Sequence, residues 1–115
     1  MLKVYKYSLG FPGPWVYQQD VMLPEGAVVL SVDMQAHELM LWAVVDPRLT
    51  AHQRVFMIAG TNVDLNVSAE ELGRFIGTVR HVGPDDRIYF WHVFELVDPA
   101  GLSMTFPLPG PQEEA

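Results

Sequence analysis

The chain contains no cysteine. That excludes a disulfide framework, a thiolate zinc site, an iron–sulfur cluster and a thiol nucleophile. Positive charge is also scarce: seven Lys and Arg stand against fourteen Asp and Glu, a formal net charge of −7. A protein that neutralises nucleic-acid phosphates needs a basic patch. None is visible, so direct DNA or RNA binding is not expected. No apolar run approaches the ~20 residues of a membrane-spanning helix, and no membrane partner is expected. The start carries Lys3 and Lys6 within an alternating pattern and lacks the apolar core of a secretion signal. A cytoplasmic setting is therefore expected, and the net negative charge reads as a source of solubility.

Catalytic and metal signatures are equally sparse. None of Ser8, Ser31, Ser68 and Ser103 sits in a Gly-x-Ser-x-Gly elbow. His37, His52, His81 and His92 show neither His-x-His nor His-x-x-x-His spacing. Gly60-Thr61-Asn62 is too short for a phosphate loop. No catalytic residue, metal site or cofactor is expected.

What is present is apolar residue, half of the 115. A chain this long buries roughly two-thirds of its unfolded surface, enough for one core. The pattern has a period of two, which is that of strands. Tyr5, Tyr7 and Leu9 alternate with Lys6 and Ser8. Gly10-Phe-Pro-Gly-Pro14 ends that strand, because proline donates nothing to a ladder. Further strands are expected over 15–23, 27–35, 38–45, 53–59, 74–82 and 87–96. The fourth is apolar on both sides (Leu39, Leu41, Ala43 and Val45 against Met40, Trp42 and Val44), as a central strand would be. Ser68 and Glu71 have capping-box spacing, so one helical turn is expected near Ser68–Leu72. The whole predicts an all-β fold of about seven mostly antiparallel strands, a small barrel or a compact sandwich. The domain is expected to span 1–98. The Pro-rich extension 99–115 is expected to pack on it or on a neighbouring copy.

The last hairpin is the most informative part. Ile88, Phe90, His92 and Phe94 fall on one face, and Tyr89, Trp91, Val93 and Glu95 on the other. Neither face is polar, so each is expected to be covered, by the fold or by a partner. Pairing Val82 with Arg87 sets Val79 opposite Phe90, Gly77 opposite His92, Phe75 opposite Phe94 and Arg74 opposite Glu95. Apolar meets apolar and opposite charges meet. In this register Arg74, Thr78 and Arg80 share a face beside Tyr89 and Trp91.

Lys6-Tyr7-Ser8-Leu9, Leu23-Pro24-Glu25-Gly26-Ala27, Val29-Leu30-Ser31-Val32, Leu41-Trp42-Ala43-Val44-Val45-Asp46, Ile76-Gly77-Thr78-Val79 and Trp91-His92-Val93-Phe94-Glu95 occur in this order. Together they resemble a family of small proteins common in bacteriophage and prophage genomes, over roughly residues 3–96. The resemblance implies a viral accessory setting and no established reaction. At Gly60-Thr61-Asn62-Val63-Asp64 the chain departs from the family's pattern, in which Gly-His-Pro follows Gly-Thr. No role for that histidine carries over.

Candidate binding residues are thus Thr61, Asn62, Arg74, Thr78, Arg80, Tyr89 and Trp91. Their ordinary reading is exposed sheet chemistry and core aromatics. Their functional reading is a surface that captures a host or viral protein, as a non-enzymatic inhibitor of counter-defence type would. Alanine at Trp91 or Arg80 is then expected to weaken capture with the fold intact. A second reading is a sponge for a small nucleotide, with guanidinium on phosphate and an aromatic ring on the base. A third is a structural protein of the virion or an oligomer. A homo-oligomer is expected. His92 reads either as a satisfied core histidine or as a ligand-contacting imidazole.

Overall fold

A computed structural model describes residues 1–97, and every regular element in it is a strand. These are β1 (Lys3–Ser8), β2 (Val16–Pro24), β3 (Val28–Gln35), β4 (Glu38–Val45), β5 (Ala51–Ala59), β6 (Leu72–Val82) and β7 (Ile88–Leu96). They form two sheets, ordered β1-β4-β3 and β2-β5-β7-β6, with every neighbouring pair antiparallel. Among the described residues the architecture is a two-sheet sandwich, and no barrel closes. All seven expected strands are present, with ends shifted by at most two residues.

Alternation explains the core. Tyr5, Tyr7 and Leu9 meet Leu39, Leu41, Ala43 and Val45 on one sheet. Val21, Leu23, Phe56, Ile58, Val79, Trp91 and Val93 face them from the other. The central position expected for β4 holds, since it lies between β1 and β3. The two sheets come closest where β6 meets β3. There a Cβ on Gly77 would stand 3.2 Å from Val32 Cγ2, so glycine lets the strands approach.

The final hairpin departs from the expected register. Val82 pairs with Ile88, Val79 with Trp91, Thr78 with His92 and Gly77 with Val93. The turn is one residue longer because Asp86 takes a left-handed conformation (φ 61°), and the Gly83 N–H bonds to Arg87 O at 2.8 Å. An irregularity between Phe75 and Gly77 takes up that extra residue, so Phe75 still meets Phe94 as expected. The consequence is a change of face. Thr78 and Arg80 lie outward with Phe90 and His92, while Tyr89 and Trp91 point into the sandwich. Glu95 bonds to Arg54 rather than to Arg74.

The connection from β5 to β6 runs over the outward side of β7. Thr61 Oγ1 lies 2.9 Å from His92 Nε2 on that side. Val63, Leu65 and Val67 are half-buried while Asn62, Asp64 and Asn66 are exposed. Met57, which also points away from the core, is fully buried. The outward face of the hairpin is therefore covered only in part: Ile88 and Phe90 remain 52% and 47% exposed.

No helix forms among the described residues near Ser68–Leu72, where the chain makes a single hydrogen-bonded turn: the Glu71 and Leu72 N–H groups both donate to Ser68 O, at 3.1 and 3.3 Å. Ser68 and Glu71 do exchange the bonds their spacing promised, Ser68 N–H to Glu71 Oε1 at 3.1 Å and Glu71 N–H to Ser68 Oγ at 3.3 Å. The chain then enters β6 at once, because Leu72 pairs with Leu96 and the Val97 N–H bonds to Glu71 O at 2.9 Å. Helix nucleation is costly and one turn offers little return, so the ladder prevails. The extension 99–115 and its expected packing lie outside the described residues.

Candidate functional site

Where β1 leaves one sheet for the other, residues 9–15 form an arm tied down at both ends. Leu9 N–H bonds to Leu39 O at 2.8 Å, and Leu39 N–H returns to Gly10 O at 2.9 Å. At the far end Gly60 N–H bonds to Trp15 O at 2.7 Å. The Tyr17 hydroxyl crosses beneath to Leu9 O at 2.8 Å, and burial pushes that phenol up to about 12. Two glycines in left-handed or mirror-β geometry, Gly10 and Gly13, let the arm fold back between these ties. Yet Trp15 stays 63% exposed. A large aromatic on a fixed segment is not spending its surface on the core.

The β6–β7 turn stands opposite. Asp85 accepts the Tyr89 hydroxyl at 2.6 Å and the Arg87 N–H at 3.1 Å. Those bonds, with the Tyr89 hydroxyl first, hold the Asp85 carboxyl below the usual carboxylate range; the Asp85 bond in turn raises the Tyr89 phenol. Gly83 makes this possible, since a Cβ there would lie 2.8 Å from Tyr89 Cε2. Tyr89 stacks on Trp91 with centroids 6.0 Å apart and planes 19° apart. Arm, turn and stacked rings enclose a cleft of about 400 Å³, lined by Pro12, Pro14, Trp15, His81, Tyr89 and Trp91 together with Gly13, Gly83, Pro84 and Asp85. The lining is mostly apolar, with one carboxylate and one imidazole. Trp91 Nε1 is buried without a hydrogen-bond partner.

His81 joins the cleft to the β3–β4 turn. Its Nε2 lies 3.0 Å from His37 Nδ1, one ring donating and the other accepting. Desolvation first, and the neighbouring His37 second, lower the pKa of His81 below its ordinary 6.5, while Asp85 works against them; Tyr89 packs on the other side. The folded protein thus holds fewer protons at this site than the unfolded chain. Stability is complete above that ordinary value and is lost as pH falls through it toward the depressed folded one. The melting temperature is expected to drop between pH 7.5 and pH 5.5, with a shallower drop in His81→Phe. Equal pH slopes for the two proteins would remove the imidazole pair as the cause.

The sequence-derived candidates fall into separate places. Tyr89 and Trp91 line the cleft. Trp91, at 5% exposure, is a core residue, so the expectation that alanine there spares the fold is overturned. Thr61 and Thr78 meet on the outward face, where their hydroxyls sit 2.9 Å from the two ring nitrogens of His92. His92 is thus fully hydrogen-bonded and half-buried, on the sheet's outer side. Arg80 is exposed on that face opposite Phe90. Asn62 occupies the exposed turn after β5 with φ 64°. Arg74 is exposed near the start of β6, at the end of the hairpin away from the cleft. The arm, His81 and the 83–85 turn were not among the candidates. Their signal is a bulky aromatic, Trp15, directly after Gly-Phe-Pro-Gly-Pro, where a mere strand break needs none.

Chemically the cleft can hold a flat or ridged apolar group and offer it one acidic edge. The described residues contain no cluster of three or more metal-ligating side chains. Nor do they include a helix long and apolar enough to cross a membrane.

A family model described as Domain of unknown function (DUF7352) matches residues 1–102. No curated protein matches the chain, and no solved structure does.

Proposed function

The chain belongs to the DUF7352 family, and we propose that it is a non-catalytic binding protein that captures a partner with the aromatic cleft between its arm and its last turn. The observation that carries this reading is Trp15, 63% exposed on a doubly tied segment above the Tyr89–Trp91 stack. Trp and Tyr are enriched at binding hot spots, and a fixed ring loses little entropy on docking. The phage or prophage origin implied by the sequence resemblance makes the partner a host protein, which this chain would hold away from its own target. A protein partner is favoured over a nucleotide by the dispersal of the arginines: Arg80 and Arg74 stand on a different face from Trp91, or at the far end of the hairpin. A phosphate and its base would have no common place among them.

The test compares wild-type protein with Trp15→Ala as immobilised bait in host lysate, quantifying recovered proteins by mass spectrometry. One partner is expected to fall at least tenfold, as loss of a hot-spot aromatic worth about 2 kcal/mol implies. Melting temperatures of the two baits should agree. Equal recovery of every protein by both would remove the cleft as the capture surface.

A further inference from the structure

We propose that the cleft takes the side chain of an arginine presented by the captured protein, with the guanidinium against the aromatic rings and its fork on the Asp85 carboxylate. This rests on the cleft being a capture site and names the group it captures. Three observations lead there.

The first is the charge of the walls. Asp85 is ionised, since the Tyr89 hydroxyl and the Arg87 N–H hold its carboxyl below the usual carboxylate range. Among the described residues that line the cleft there is no lysine or arginine. The one imidazole, His81, is kept toward its neutral form by desolvation first and by His37 second. Asp86 adds a further exposed carboxylate beside the turn, and the whole chain carries a net charge of −7. An anionic group is repelled from such a site, and a cationic one is drawn in by both the near and the distant field.

The second is spare acceptor capacity. An ionised carboxylate offers about four lone-pair sites on its two oxygens. The Tyr89 hydroxyl donates to Oδ2 at 2.6 Å and the Arg87 N–H donates to Oδ1 at 3.1 Å. The side chain of Asp85 nevertheless stays 47% exposed. The chain's own Arg87 does not use what is left: its Nε stands 4.0 Å from Oδ2, beyond hydrogen-bond reach, and its side chain is 81% exposed. Capacity left on the two oxygens of one carboxylate suits the two parallel N–H groups of a guanidinium fork.

The third is the rings. Trp15, Tyr89 and Trp91 line the cleft, and the negative face of an aromatic ring attracts cations. By donating its hydroxyl to a carboxylate, Tyr89 gains electron density in its ring. A guanidinium is planar and weakly hydrated, so it stacks on rings, whereas an ammonium is compact and holds its water. The volume, about 400 Å³, lies toward the lower end of ligand pockets, which run from roughly 300 to 1,000 Å³. That suits one long side chain, its methylenes against Pro12 and Pro14, better than a folded segment.

The experiment uses the full chain and three synthetic tripeptides: acetyl-Gly-Arg-Gly-amide, its lysine counterpart, and its citrulline counterpart, in which a neutral urea replaces the guanidinium. The amide signals of Gly83 and Asp85 are followed by NMR. The arginine peptide is expected to shift them saturably, with a Kd on the order of 1 mM. The lysine peptide should bind about fivefold more weakly and the citrulline peptide about tenfold more weakly. Asp85→Asn, which keeps an acceptor for the Arg87 N–H, should weaken the arginine peptide about tenfold. Trp15→Ala, on the exposed rim, should weaken it about fivefold and serves as the test should the turn variant fail to fold. Equal binding of the arginine and citrulline peptides would overturn the role of charge. Equal binding of the arginine and lysine peptides would overturn the guanidinium in favour of any cation. No shift by any peptide, or undiminished binding in both variants, would overturn the proposal outright. Recovery from lysate by the Trp15→Ala bait is read separately. If it falls while every peptide fails, the cleft stands as a capture site and only the arginine is lost. If the arginine peptide binds as expected while recovery is unchanged, the capture reading falls instead.

Discussion

Trp91→Ala is expected to lower the unfolding free energy by about 3–5 kcal/mol, the usual range for removing a buried tryptophan. The indole is 5% exposed and belongs to the core with Phe56, Ile58, Val79 and Val93. It also carries the Tyr89 ring, stacked at 6.0 Å. Its removal opens a cavity beneath the cleft that an antiparallel sheet, fixed by its ladder, cannot collapse to fill. Small domains hold only about 5–15 kcal/mol in total, so the loss is a third or more of most such reserves. In urea the midpoint should fall with the slope unchanged. Trp15→Ala provides the contrast, because an exposed rim residue should stay within about 0.5 kcal/mol of wild type. The pair separates floor from rim: Trp91 holds the site's shape and Trp15 meets the partner. A Trp91→Ala protein within about 1 kcal/mol of wild type would show that the indole is not part of the core.

The same residue marks how far the sequence can be read. Strand existence was legible because each strand carries its own evidence. Leu39, Leu41, Ala43 and Val45 alternate, and Pro24-Glu25-Gly26 and Asp46-Pro47 interrupt, so β2 to β5 are bounded locally. The face of each side chain in the last hairpin was not. It depends on one residue in the turn, Asp86, whose left-handed backbone moves the register by one. The Phe75–Phe94 contact agreed with the shorter turn only because the irregularity before Gly77 restores it. A register inferred from one good pair is thus vulnerable to two compensating irregularities. Trp91, Arg80 and Thr78 were accordingly assigned to one face when they occupy two. The Ser68–Glu71 bonds were legible as local chemistry, but helix or turn is decided by Leu72 joining Leu96, which lies far along the chain. The cleft was illegible for the same reason. Its walls are residues 12–15 and 83–85, which only the pairing of β2, β5, β7 and β6 brings together.

At the opposite end of the sandwich, Arg54→Ala is expected to cost about 2–3 kcal/mol, somewhat below the range for a fully buried pair because these side chains keep a quarter or less of their exposure. Arg54 Nε donates to Glu95 Oε2 at 2.6 Å and Nη2 donates to Oε1 at 2.8 Å, a bidentate fork. Its Nη1 donates to Ala27 O at 2.7 Å. Arg54 lies on β5 and Glu95 on β7, while Ala27 leads into β3 of the other sheet. One guanidinium therefore ties both sheets together where the sandwich would otherwise open. Alanine leaves a carboxylate and a carbonyl without their donor, and that desolvation cost exceeds the modest value of the bonds themselves. Lysine should recover little, since a single ammonium cannot span the three acceptors. The double variant Arg54→Met, Glu95→Leu should recover most of the loss, because neither charge is then left unpaired. Urea unfolding of Arg54→Met, of Glu95→Leu and of the double variant closes the cycle, with a coupling of about 1–3 kcal/mol expected. Additive losses would mean that the fork contributes nothing as a unit.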